Sequence, residues 1–139
     1  VEIGNTKRIL LDSSSGQTNA SSGWFNNTSP TSTTISLGSD GGSNGSTDGY
    51  IAWCWTDIPG YSKFGKYRGN GNVDGTYVNL GFRPAFVLTK MVDTMGENWT
   101  ISDSSRSTYN PVDLFLRPDE TTSDTSGAAK MDFLSNGYK

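Results

Sequence analysis

Phe82-Arg83-Pro84-Ala85-Phe86-Val87-Leu88-Thr89-Lys90 is the most continuously apolar run in the chain, and its length suits a strand buried on both faces. Pro84 fits the entry of such a strand, where no ladder donor is needed. Working outward, short runs enriched in β-branched and aromatic residues fall at 7–12, 33–38, 49–56, 62–67, 75–80, 99–103, 112–117 and 130–134. Turn formers separate them: Pro59-Gly60, Gly69-Asn70-Gly71, Asp74-Gly75, Met95-Gly96 and Asn136-Gly137. No segment of comparable length carries a helical period. This spacing predicts an all-β fold, an antiparallel β-sandwich or jelly-roll-like module with 82–90 as its central strand.

In Tyr50-Ile51-Ala52-Trp53-Cys54-Trp55, Ile51, Trp53 and Trp55 share one strand face while Tyr50, Ala52 and Cys54 share the other, so both faces are expected to be buried. Cys54 is the chain's single cysteine and is expected to pack as a small hydrophobe. A catalytic thiol needs a base beside it, and the chain contains no His.

Two stretches look alike. Arg8-Ile9-Leu10-Leu11-Asp12, a polar tract, Thr34-Ile35-Ser36-Leu37-Gly38 and Asp40-Gly41-Gly42-Ser43-Asn44 are echoed by Asp113-Leu114-Phe115-Leu116-Arg117, a second tract, Lys130-Met131-Asp132-Phe133-Leu134 and Asn136-Gly137-Tyr138-Lys139. Their offset of about 105 residues is that of a domain-sized repeat. The expectation is a fragment that starts and ends mid-repeat. Residues 1–58 would close one β module and residues 59–139 would open a similar one, the two able to fold together as one sandwich. The polar tracts 13–32 and 119–127 are expected to be ordered surface loops, the first anchored by Trp24-Phe25.

With 139 residues, 17 of them Gly, and an apolar fraction of 32%, the chain has material for only a thin core, in which the aromatic residues supply most of the buried area. A net charge of −3 with Lys and Arg scattered singly leaves no basic face, so nucleic acid is not an expected partner. No apolar run approaches the roughly 20 residues of a membrane span, and no membrane insertion is expected.

The motifs that suggest chemistry are incomplete. Gly41-Gly42-Ser43-Asn44-Gly45 has the spacing of a nucleophile elbow but lacks a His partner, and a Gly/Ser loop is expected instead. Asn70-Gly71-Asn72-Val73-Asp74-Gly75 imitates the first half of a calcium loop, yet Gly81 stands where the bidentate Glu belongs. A hairpin turn accounts for it better, leaving Asn70, Asn72 and Asp74 as candidates for a weak metal site only. No catalytic residue and no cofactor are expected. Aromatic residues near loop ends, namely Trp24, Tyr50, Tyr61, Tyr77 and Tyr109, have the chemistry to stack on sugar rings, with Asn, Asp and Ser nearby to bond hydroxyls. Of these, Trp24, Tyr61, Tyr77 and Tyr109 are the candidate glycan contacts.

The order of several short motifs points to a family. Asn26-Asn27-Thr28-Ser29-Pro30-Thr31, Gly49-Tyr50-Ile51-Ala52, Lys66-Tyr67-Arg68-Gly69-Asn70-Gly71, Gly81-Phe82-Arg83-Pro84-Ala85-Phe86-Val87 and Asp132-Phe133-Leu134-Ser135-Asn136-Gly137 together resemble the repeated β-rich modules of virion proteins of tailed phages, notably marine ones. The resemblance spans residues 7–139. It implies a non-enzymatic virion protein, extracellular on the particle, such as a segment of a tail fibre or appendage that attaches to a host surface glycan. It also implies partners: further copies of the chain, a trimer being common among fibres, and other virion proteins. A capsid-decorating or fibre protein without a receptor, and a glycan-depolymerising tailspike, are the alternatives.

Overall fold

The computed structural model describes residues 3–20 and 22–139, without the side chains of Ala128 and Ala129; Val1 and Glu2, at the head of the expected first unit, and Ser21, in its polar tract, lie outside the described residues. The fold is all-β. Three antiparallel sheets are formed by β1 (Lys7–Arg8) with β2 (Thr18–Asn19); by β3 (Val78–Asn79), β9 (Gly137–Tyr138) and β8 (Phe133–Leu134) in that order; and by β4 (Phe86–Thr89), β5 (Thr100–Asp103), β6 (Val112–Leu116) and β7 (Thr125–Met131), also in that order.

Two of these sheets share one core. Antiparallel pairing sets Val87 opposite Ser102 and Ser102 opposite Phe115, a buried cross-strand row on one face of the four-stranded sheet. A bulge between Val112 and Leu114 restores Val112 to that same face. Against it pack Phe133, which has no exposed surface, and Tyr138 from the small sheet, with Val78, Leu80 and Met131 at the margin. Complete burial of one phenyl ring contributes roughly 1.5–3 kcal/mol, a large share of the stability of so small a core. Burial also holds the Tyr138 phenol in its neutral form and pushes its pKa up to about 12.

Ser107, buried beside the bulge, is held by the backbone, whereas Arg106 Nη1 and Asp119 Oδ2 are buried without a partner among the described residues. Ser107 Oγ accepts the amides of Leu114 at 3.0 Å and Asp113 at 3.3 Å, satisfying the backbone where the bulge interrupts the ladder. Asn110 Oδ1 accepts the Phe133 amide at 2.8 Å, and the Arg83 guanidinium donates to the Phe133 carbonyl.

Several expected strands are absent or displaced. Residues 33–38, 49–56 and 62–67 form no strand, and 7–12 keeps only β1. The run 82–90 does supply β4, but at the edge of its sheet and not at the centre, because its neighbour lies on one side only. Its apolarity reflects two apolar sheet faces: Val87 points into the core, whereas Phe86 and Leu88 share the opposite face and are 58% and 40% exposed. The tract 13–32 contains β2 and a single helical turn, α1 (Ser22–Phe25). The Gly41–Asn44 segment expected as a loop is a second helical turn, α2, because the Asp40 carboxylate accepts the Gly42 amide at 2.8 Å and caps it. The two look-alike stretches also diverge, since 113–117 and 130–138 carry core strands while 34–44 carries α2 and no strand.

The turn expected at Asn136-Gly137 is shifted by one residue. Leu134 pairs with Gly137, so Ser135 and Asn136 form the turn and Gly137 begins β9. Gly137 is required there by close packing, since a Cβ would fall inside the van der Waals shell of the Val78 carbonyl oxygen and 3.0 Å from a Tyr77 ring carbon. Gly137→Ala is therefore expected to destabilise the fold by about 2 kcal/mol or more in chemical denaturation. Gly69→Ala, where no atom stands within 4 Å of the new Cβ, is expected to change it little. A further expectation concerns alkaline pH. The unfolded phenol loses its proton near 10 and the folded one near 12, so the Tyr138 contribution to stability should be constant below pH 10 and fall between those values, a contribution that Tyr138→Phe removes.

Candidate functional site

Pro59-Gly60 makes the turn that the sequence implies, and it presents a ring. The Tyr61 amide donates to the Ile58 carbonyl at 2.9 Å and Gly60 has φ +76°, which is a type II turn with Pro and Gly at its two central positions. Ile58 and Ser62 close it as a β-bridge, and Ser62 Oγ donates to the Thr56 carbonyl at 2.8 Å. Asp57 clamps the base: one carboxylate oxygen accepts Lys63 Nζ at 2.7 Å and the other accepts the Phe64 amide at 2.8 Å. The bond from Lys63, then that from Phe64, holds the Asp57 carboxyl below the usual aspartate value. Tyr61, at the tip, is 78% exposed.

The chain preceding this turn is the main departure from the sequence reading. Ile51, Trp53 and Trp55 are 80%, 73% and 74% exposed, and Cys54 is exposed as well, so neither face of 49–56 is buried. The physical reason is the lack of a neighbour: among the described residues no backbone–backbone hydrogen bond engages 46–57. With Phe64 and Tyr67, both also exposed, these residues form an aromatic-rich surface stretch reaching from Tyr50 to Tyr67.

The other candidate contacts are dispersed. Trp24 lies in α1 with the Arg8 guanidinium 4.4 Å from its ring centroid, and its benzo ring abuts Gly42, where a Cβ would approach to 2.8 Å. It lines a cavity of about 300 Å³ together with Lys7, Arg8, Phe25 and Pro30. Arg8 was not anticipated as a site residue, and only its proximity in space to Trp24 reveals it. Tyr50 donates its hydroxyl to the Gly41 carbonyl and accepts the Gly45 amide, which ties it to α2. Tyr77 rests against Gly137, and its hydroxyl lies 3.4 Å from the Asn136 carbonyl. Tyr109 is exposed beside the cis Asn110–Pro111 bond. The structure thus leaves Tyr61 and Tyr109 open and places Trp24 and Tyr77 in packing roles.

The weak metal candidates are engaged in a turn. Asn70 Oδ1 accepts the Asn72 amide and Asn72 Oδ1 accepts the Asp74 amide, both at 3.0 Å, while Asn70 Nδ2 donates to the Asp74 carbonyl at 2.9 Å. The Asp74 carboxylate pairs with Lys139. Successive Asx turns therefore use the oxygens that a cation would need. Asn70, Asn72, Tyr67, Thr76, Lys130 and Lys139 do line a second cavity of about 290 Å³, where the Tyr67 and Tyr138 rings meet edge to face at 6.0 Å. Other carboxylates are neutralised by arginine: Arg106 joins Asp103 and Asp124, and Arg117 pairs with Glu120.

One family description, domain of unknown function DUF7483, matches residues 1–139. The chain belongs to that family. Comparison with curated proteins and with solved structures finds no match. Among the described residues of this DUF7483 chain, no helix is long and apolar enough to cross a membrane.

Because the Asp57 carboxyl is depressed, the clamp is expected to persist above the ordinary aspartate range and to release as pH falls through the lower folded value. The Phe64 amide resonance should titrate with a midpoint below 3.8, and Asp57→Asn should abolish that step.

Proposed function

We propose that the chain is a non-enzymatic structural module of a bacteriophage virion, part of a tail fibre or related appendage, that touches host surface glycans through exposed aromatic rings. The observation that carries this reading is the presentation of Tyr61 on a clamped type II turn, with most of its ring in water. A rigidly held, exposed phenol offers both a stacking face and a hydroxyl at little conformational cost. The order of motifs, which resembles that of virion modules, supports the setting. Single rings bind sugars weakly, so useful attachment would come from many copies on one particle.

A second reading, a capsid-decorating or fibre protein without a receptor, is favoured by a different observation. The exposed indoles of Trp53 and Trp55 lie on an unpaired segment, which suits a protein neighbour better than a sugar.

A host-surface polysaccharide array separates the two. Attachment predicts binding by the folded chain that falls at least tenfold in Tyr61→Ala and further in the double variant with Tyr109→Ala. A folded chain that binds nothing on the array, or binds equally well without both rings, excludes the attachment reading and leaves the purely structural one.

A further inference from the structure

We infer that the segment Tyr50-Ile51-Ala52-Trp53-Cys54-Trp55 of one copy adds as a strand to the free edge of β4 in a second copy, so that the chain assembles head to tail. Two unsatisfied features of one chain meet in this arrangement. The segment alternates large and small side chains from Ile51 to Trp55, as a strand with one bulky face does, yet its backbone finds no partner within the described residues and Trp53 and Trp55 are about three-quarters exposed. β4 has β5 on one side and, among the described residues, no paired strand on the other, and its outward face carries Phe86 and Leu88, 58% and 40% exposed. A strand in need of a ladder and a ladder in need of a strand are the two halves of β-augmentation.

β4 is the edge that fits. The opposite edge of the same sheet, β7, presents Thr125, Ser126 and Lys130, while β3 and β8, at the margins of the small sheet, are two residues long. On β4 the outer face is apolar across the sheet: Leu88 is paired with Ile101, and Ile101 with Leu116. An antiparallel register that sets Trp53 beside Leu88 and Trp55 beside Phe86 extends this row by one indole and lays the second against the exposed Phe86 ring, whose partner on β5 is Asp103. The same register puts Cys54 opposite Val87 and Ala52 opposite Thr89, so the small side chains fall on the side where the core is already filled. A shift by one residue would place the indoles there instead, which specifies the register.

The area is sufficient. Two tryptophans that each bury 150–250 Å² when enclosed, here about three-quarters open, supply roughly 200–370 Å². Ile51, six residues of backbone and the Phe86–Leu88 surface opposite bring one joint towards the ~1,000 Å² of a specific interface. Because the two surfaces differ, the joint is heterologous. It closes when two copies exchange segments or when several form a ring.

The test uses two defective chains whose substitutions fall on exposed side chains. Trp53→Ser with Trp55→Ser removes the segment's anchors, and Phe86→Lys with Leu88→Lys charges the edge. Light scattering after size exclusion should show a concentration-dependent oligomer for the unaltered chain and a shift of at least tenfold in its dissociation constant for each double variant. Mixing the two variants should give a one-to-one pair, since each retains the half that the other lacks. Thiol reactivity offers an independent readout: Cys54 should be protected in the oligomer, reactive in both variants alone, and protected again in half of the chains of the mixed pair. An unaltered chain that stays monomeric at 100 µM overturns the inference, whether its Cys54 is reactive or is shielded by its own chain. So does an oligomer that survives either double substitution, or a mixture that forms no pair.

Discussion

The approach of Gly137 to the Val78 carbonyl is the contact on which the remaining packing depends. It brings β9 alongside β3 in the small sheet, and that pairing carries Tyr138 and, through the Ser135-Asn136 turn, Phe133 beneath Val87 and Val112. Any side chain at position 137 would hold the two strands apart and withdraw both rings. Hydrogen bonds reinforce the geometry from outside: Asp132 and Lys139 exchange amide bonds at 2.8 and 3.0 Å, and Asn110 and Arg83 hold the Phe133 backbone from two other directions. The core is small, but its closure is fixed at many points of backbone.

The distribution of aromatic residues follows from that small core. Phe133 and Tyr138 pack between the sheets and Phe115 is buried on the four-stranded sheet, while most of the other rings stay at the surface. Trp24 is used instead to join Arg8, α1 and α2 in the N-terminal ribbon, which docks on the 90–99 loop through Gln17 to Val92 at 2.9 Å and Trp99 to Leu10 at 2.8 Å. Trp53, Trp55 and Tyr61 remain outside. Large exposed rings in a chain of low apolar content are costly in solubility, so their retention on a short surface stretch points to contacts made by that surface.

The sequence was legible where burial is one-sided and local. The enrichment of 99–103 and 112–117 in β-branched and aromatic residues reports β5 and β6 almost to the residue, because each pairs with its neighbour in sequence, although in β5 it is Ser102 and not Ile101 that faces the core. The runs at 85–90 and 49–56 were misread for one shared reason. A period of two says that a backbone suits a ladder, but it is silent on whether the ladder's other rail belongs to the same chain. Thus Phe86 and Leu88 suggest a central strand and lie on an edge, while Trp53 and Trp55 suggest a buried face and lie in water. Among the candidate contacts, Tyr61 was legible because Pro59-Gly60 specifies its turn, whereas the packing of Trp24 and Tyr77 depends on Arg8, Gly42 and Gly137, which stand far from them or give no side-chain signal.

Exposed strand edges are normally guarded by charge, by proline or by a covering loop, and the two edges of the four-stranded sheet are treated differently here. β7 carries Thr125, Ser126 and Lys130. At β4 the guards have been withdrawn. Pro84 precedes the strand without interrupting it, and Lys90, the cation placed to protect its end, turns its amine to the carbonyls of Ser14 and Glu97. A chain that blunts one edge and leaves the other apolar and open has a direction. Addition at such a sheet is polar in the geometric sense: one end accepts a strand, the other does not, and growth or closure must follow that asymmetry. The unpaired segment before the Pro59-Gly60 turn then has a structural explanation that its own chain does not provide, and the clamped turn that follows would hold Tyr61 at a fixed distance from each joint.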